Sequence, residues 1–210
     1  ATLAPEFSRE LGLGAGQLGL LAGAYFLGFS AMQLPLGQAL DRHGPKRVIL
    51  GLLLVAVVAC VAFALARNMV QMLLARLVIG LGVSACLMAP LTLYRHRFSA
   101  PAQMRANSWM LMTGSLGMLM STLPAQWLLP VMGWRGLFAL IAGLLLLSVL
   151  LILVLVPQDG PSLESSAPEA DGYRAVFRMP AFQRLAPAGF FTYGGMIAMH
   201  ATEDATAAAQ

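Results

Sequence analysis

Residues Gly37 to Val48 read GQALDRHGPKRV, and this stretch decides how the rest of the chain is read. No charged residue lies between Glu10 and Asp41, and none lies between Arg47 and Arg67. Two long apolar runs therefore meet at one short, polar, mostly basic turn. A membrane-spanning helix needs about 20 predominantly apolar residues, and each run supplies them. The stretch reads as a cytoplasmic turn between two transmembrane helices.

Composition points the same way. Hydrophobic residues make up 59% of the 210 residues and charged residues 10%, with a mean hydropathy of +0.76. A soluble domain carries roughly a quarter charged residues, so this chain has too little polar surface to coat a water-soluble globule. The net charge of +4 follows a membrane rule in its distribution and implies no nucleic-acid partner. The Arg, Ala, Leu and Gly bias suggests a GC-rich bacterial gene. Cys60 and Cys86 lie inside apolar runs, where a thiol behaves as a small hydrophobe. No Cys/His spacing suits a metal, and no Gly-Lys-Ser/Thr loop suits a nucleotide, so no cofactor is expected. His43, His96 and His200 lack ligand or triad partners at sensible spacing and read as interfacial residues. Gly82-Val83-Ser84-Ala85 has only a superficial likeness to a membrane serine protease motif, because the second glycine and a matching histidine are missing. The chain opens on Ala1 without signal-peptide features, and a fragment or trimmed product is expected.

Five complete spans are predicted, at Gln17–Leu40, Val48–Ala66, Met69–Tyr94, Ala106–Leu129 and Gly136–Val156. Residues 1–16 form an external loop ahead of them. Pro157–Arg184 reads as a flexible cytoplasmic linker, its basic, amphipathic end YRAVFRMPAFQRL suited to the membrane surface. Residues 185–201 form an incomplete further span, and 202–210 a polar tail that cannot lie in hydrocarbon. Orientation follows from the basic residues near span ends. Nine of them (Arg42, Lys46, Arg47, Arg95, Arg97, Arg105, Arg174, Arg178, Arg184) fall on one side, and Arg9, Arg67 and Arg135 on the other. The side carrying the opening stretch is therefore cytoplasmic, and a bacterial inner membrane is the expected location.

The spans differ in character. Val48–Ala66 and the run after Gly136 are apolar on every face and suit a lipid-facing periphery. The first, third and fourth carry Gln33, Arg76, Ser84, Thr92, Asn107 and Ser108 and are expected to line an interior. Small residues four apart, at Gly19/Gly23, Ala24/Gly28 and Gly80/Ser84, are expected to permit close helix packing.

Gly37, Asp41, Arg42, Gly44 and Lys46 resemble the loop signature that joins the second and third helices of the major facilitator superfamily. Ala39-Leu40 stands in reverse order to that signature, and Pro45 replaces its first basic residue. Arg76 followed by Gly80 resembles the family's fourth-helix Arg-x-x-x-Gly motif, and Gly133-Trp134-Arg135 with Phe138 resembles the opening of its sixth helix. Gly114, Gly117 and Pro124 do not reproduce the family's antiporter frame. The resemblance covers nearly the whole chain. It implies an all-α polytopic membrane protein, a partial bundle of helices two to six, the central loop and the start of helix seven.

On that resemblance the chain is part of a secondary active transporter, not an enzyme. Such a transporter moves a small solute across the bilayer by alternating access. The implied partners are lipid, a small-molecule substrate and the C-terminal half of the transporter. If transport is proton-coupled, the titrating carboxylate lies outside this chain, since no acid lies inside a complete span. Gly37, Asp41, Arg42, Gly44 and Lys46 would form a conformational-switch loop. Asp41 would dock on a helix N-terminus or an arginine of the other half. Gly44 is expected to supply positive φ, and Lys46 and Arg47 to hold topology at an anionic leaflet. Arg76, Gly80, Gln33 and Asn107 are the candidates for the transport pathway or coupling. Arg76 sits about 10 Å into its span, where an arginine costs about 2.5–3.5 kcal/mol on insertion scales. The other reading is a non-transporting membrane sensor or assembly subunit built on the same half-fold.

Overall fold

The Gly37–Val48 turn is tighter than its sequence suggests. In the computed structural model, helix α1 (Ala15–His43) and helix α2 (Pro45–Ala64) are separated by Gly44 alone. Gly44 has φ 78° and ψ 152°, a conformation that only glycine adopts without strain. Its N–H caps α1 by donating to the Leu40 carbonyl at 3.0 Å. Pro45 then occupies the first position of α2, where a residue without an N–H leaves nothing unsatisfied. The proline at the place of a basic residue thus has a structural reason. Asp41, Arg42 and His43, expected in a loop, form the last turn of α1.

The structure describes Phe7, Glu10 and residues 12–156, without the side chains of residues 96 and 118–125. The expected linker (157–184), incomplete seventh helix (185–201) and polar tail (202–210) lie outside the described residues, as does most of the expected external loop. Three further helices follow α2: α3 (Met69–Val83), α4 (Ala85–Arg97) and α5 (Ala100–Leu155). Asn68 starts α3, its Oδ1 accepting from the Gln71 N–H at 2.9 Å, while Gln71 Oε1 accepts from the Arg67 N–H at 2.8 Å.

Two junctions between helices are tighter than predicted. Within the span Met69–Tyr94 the helix tightens at Ser84, which keeps helical angles (φ −58°, ψ −32°) while its N–H and hydroxyl both donate to the Leu81 carbonyl. That i→i−3 pairing tightens the turn and ends α3. The fourth and fifth spans stay distinct, joined by a kink at Gly133, with φ 66° and ψ 177°. The limbs 100–132 and 134–155 meet there. Helical stretches at Ala15–His43, Pro45–Ala64, Met69–Arg95 and Gln126–Leu155 are long and apolar enough to cross a membrane.

Glycine sets how closely the helices approach. A Cβ on Gly28 of α1 would stand 2.0 Å from the Leu77 carbonyl oxygen of α3, and one on Gly80 of α3 would stand 2.1 Å from the Tyr25 carbonyl oxygen of α1. The two glycines therefore make one reciprocal crossing. On the other side of α3, a Cβ on Gly82 would stand 2.6 Å from the Ala56 nitrogen of α2. Gly19 and Gly23, expected to pack in the same way, meet nothing within 4 Å among the described residues. Toward the Gly44 end, Leu36, Leu40, Ala85 and Ala89 form a small core. Toward the Arg67 end, Cys60, Phe63, Met72, Ile79, Trp134 and Phe138 belong to a larger one.

The uniformly apolar α2 and limb 134–155 are peripheral on one face only. Val58 is 69% exposed and Val154 is 81% exposed, yet Phe63 and Phe138 on the same helices are buried. The fourth span, expected to line an interior, is mostly exposed among the described residues. Met104, Trp109, Leu111 and Leu116 are exposed, and α5 packs chiefly on α2.

Overpacking a tight contact costs about 1–3 kcal/mol, so Gly80→Ala is expected to destabilise the chain by that amount in detergent unfolding. Gly23→Ala, which meets nothing within 4 Å, is expected to stay within about 0.5 kcal/mol of the parent.

Candidate functional site

Arg76 is where four elements converge. Its guanidinium lies 4.8 Å from the Phe63 ring centroid on α2 and 5.1 Å from the Phe138 centroid on limb 134–155. Tyr25 of α1 and Cys60 of α2 are close enough to interact with its charge. The Arg76 Nε is buried with no hydrogen-bond partner among the described residues. Each aromatic face contributes about 0.5–2 kcal/mol to a desolvated cation, the same order as the insertion cost of an arginine in hydrocarbon. The rings let the charge stay inside while one donor remains unused.

Those rings belong to an aromatic cluster. Phe63 packs on Phe138 at 4.2 Å between centroids and edge-on to Trp134 at 5.8 Å. Phe7, from the segment before α1, meets Trp134 at 5.2 Å and Phe63 at 6.2 Å, both edge-on.

Gly80, one turn beyond Arg76, does not line a cavity. It is the close-approach point that seats α1 against the Arg76 face of α3. Gln33 is half-buried on α1. The Asn107 Oδ1 is buried without a hydrogen-bond partner among the described residues. The structure joins neither Gln33 nor Asn107 to Arg76 by a hydrogen bond.

In the turn, Gly37, Asp41 and Arg42 are exposed. Among the described residues, Asp41 makes no hydrogen bond and no ion pair. Gly44 supplies the expected positive φ. Lys46 does more than face lipid headgroups. Its Nζ donates to the carbonyls of Leu153, at 3.2 Å, and Val156, closing the end of limb 134–155.

Arg135 does the same at the opposite end. One guanidinium nitrogen donates to the carbonyls of Ala64 and Ala66, both at 2.9 Å, closing the end of α2. The other makes an ion pair with Glu10 at 3.5 Å, and the Trp134 indole N–H also donates to Glu10. The last carbonyls of a helix have no intrahelical donor, so a cation from each helix of this antiparallel pair completes the other.

The roles of Phe63, Tyr25 and Glu10 escape a reading of the sequence. Phe63 sits in a uniformly apolar span, and nothing in that span marks which face meets Arg76. The Trp134-Arg135 pair was visible as a motif, and its polar atoms were the signal that an acid should lie nearby.

The sequence profile of the Major Facilitator Superfamily matches residues 1–204. The 4-hydroxybenzoate transporter PcaK of Pseudomonas putida is 29% identical over 190 residues, covering 90% of this chain and 42% of that protein. The niacin transporter NiaP of Acinetobacter baylyi is 30% identical over 157 residues, covering 74% and 35%. The multidrug resistance protein MdtM of Salmonella typhimurium is 30% identical over 183 residues, covering 84% and 43%. The chain thus spans less than half the length of these relatives.

Hydrogen bonds to a charged group contribute about 1.5–3 kcal/mol each when well formed. Lys46→Met and Arg135→Gln are each expected to lower unfolding free energy in detergent by about 1–3 kcal/mol. The two caps lie at opposite ends of α2, about 30 Å apart, so the double variant is expected to show the sum.

Proposed function

Because the chain belongs to the Major Facilitator Superfamily, we propose that it supplies helices two to six of a secondary active transporter for a small solute. The transporter works by alternating access in the cytoplasmic membrane, with the Gly44 turn on the cytoplasmic side. The observation that carries this reading is the pairing of an interior cation, Arg76, with a surface carboxylate, Asp41, that has no partner among the described residues.

Asp41 is held at the end of a long helix by a one-residue corner. A carboxylate fixed there is suited to dock on a helix N-terminus of the other half when the cytoplasmic side closes, and to leave it when that side opens. Gly37 and Arg42 lie in the last two turns of the same helix and serve the same contact. Gly44 and Lys46 act inside the half-bundle. Gly44 makes the corner, and Lys46 holds the adjoining helix end.

Arg76 favours an organic anion as solute. The carboxylates 4-hydroxybenzoate and niacin, named for two of the relatives, are of that class. A carboxylate would take the unused donor of Arg76, and an aromatic ring would find Phe63, Phe138 and Tyr25 around it. Gln33 and Asn107 then serve as polar contacts along the path.

The complete transporter is tested in proteoliposomes with labelled 4-hydroxybenzoate under an imposed proton gradient. Asp41→Asn is expected to cut the maximal rate at least tenfold with KM nearly unchanged, because it acts on the conformational step. Arg76→Gln is expected to raise KM by about tenfold or more, the loss of one charged contact. Uptake by the 210-residue chain alone, or an Asp41→Asn transporter of normal rate, would overturn the reading.

A further inference from the structure

An apolar groove of about 750 Å³ runs between α2 and α3. Between Leu54 and Leu65, Val58, Ala59 and Ala62 line it along α2, and Leu74, Ala75 and Val78 line it on α3. It extends about 16 Å along α2 at 1.5 Å per residue. That is the depth of one leaflet in a hydrocarbon core of about 30 Å. Ala59, Ala62 and Ala75 leave the space that larger residues would fill.

The groove ends at Ala66 and Gln71, on either side of Arg67. The Arg67 side chain is exposed, with no ion pair or side-chain hydrogen bond among the described residues. Glu10, the acid described at this end of the bundle, is already engaged by Arg135 and Trp134. The first-turn amides of Met69 and Val70 open α3 at the same place, where the helix dipole favours negative charge. An apolar slot one leaflet deep therefore ends at a positive rim that no described carboxylate compensates.

We propose that this groove binds one anionic phospholipid, an acyl chain lying between α2 and α3 and the phosphate held by Arg67 and the first amides of α3. On the orientation proposed above, the lipid belongs to the outer leaflet. The assignment rests on the membrane reading of α2 and α3 and is independent of the solute carried. A lipid seated there fills the contact between the two helices that bring Phe63 and Arg76 together, and so supports the site.

Native mass spectrometry of the 210-residue chain, released from bilayers of equal phosphatidylglycerol and phosphatidylcholine, tests this. The parent chain is expected to retain one phospholipid, with phosphatidylglycerol favoured about five-fold, the effect of one basic residue at the surface. Arg67→Gln is expected to keep the bound lipid and lose the preference. Ala62→Leu is expected to lose retention of both lipids while keeping its helical circular dichroism. Retention of no lipid by the parent, an unchanged preference in Arg67→Gln, or unchanged retention in Ala62→Leu would each overturn the proposal. So would an Ala62→Leu change that converts a dimer to a monomer without affecting lipid, which would give the groove to a second copy of the chain. Because the readout is lipid mass and not transport, failure here leaves the transport reading standing.

Discussion

A helix ending near a membrane surface leaves carbonyls that no turn of its own can satisfy, and donors must reach them from elsewhere. Lys46 and Arg135 meet that constraint for the most apolar helix pair in the chain. Each stands near the start of its own helix and donates to the end of the neighbour. Because α2 and limb 134–155 run antiparallel, the two cations fix both ends of one packed unit and set its register. The aromatic rings between those ends then fall at fixed depths, and Phe63 and Phe138 come to lie over the guanidinium of Arg76.

The second dependence is steric. α1 reaches α3 only because Gly28 and Gly80 carry no side chain at their crossing. Tyr25 sits on the same turn of α1, so the crossing that joins the helices also brings a hydroxyl toward the interior cation. The sequence pattern Arg-x-x-x-Gly is thereby given a physical sense. The arginine and the glycine lie one turn apart on α3, so the residue that lets α1 close in sits directly beyond the charge.

Much of this was legible in advance. The all-helical membrane class, the position of the Gly44 corner and its positive φ, and the interior place of Arg76 follow from apolar run length, turn chemistry and isolation of charge. The family assignment stood on the motifs around Gly37–Lys46, Arg76 and Trp134. Other readings failed for identifiable reasons. Gly19 and Gly23 have the spacing of a packing motif but meet no described neighbour, because small residues permit an approach without causing one. The last turn of α1 was mistaken for a loop because charge was read as the end of the helix, whereas a polar turn of helix protrudes from hydrocarbon at no penalty. The tightened turn at Ser84 left no mark in an otherwise continuous apolar run.

The sequence by itself determined that the chain is built of long apolar helices and where the corner between the first two lies. Satisfying the backbone in hydrocarbon requires about 20 apolar residues per crossing, and that requirement is written in one dimension. The tertiary structure alone decided which carbonyls Lys46 and Arg135 complete, which glycines are true contacts, and which rings cover Arg76. Those outcomes depend on the rotation of each helix about its own axis. A span that is apolar on every face, such as Val48–Ala66, carries no sequence cue to that angle until its neighbours are packed against it.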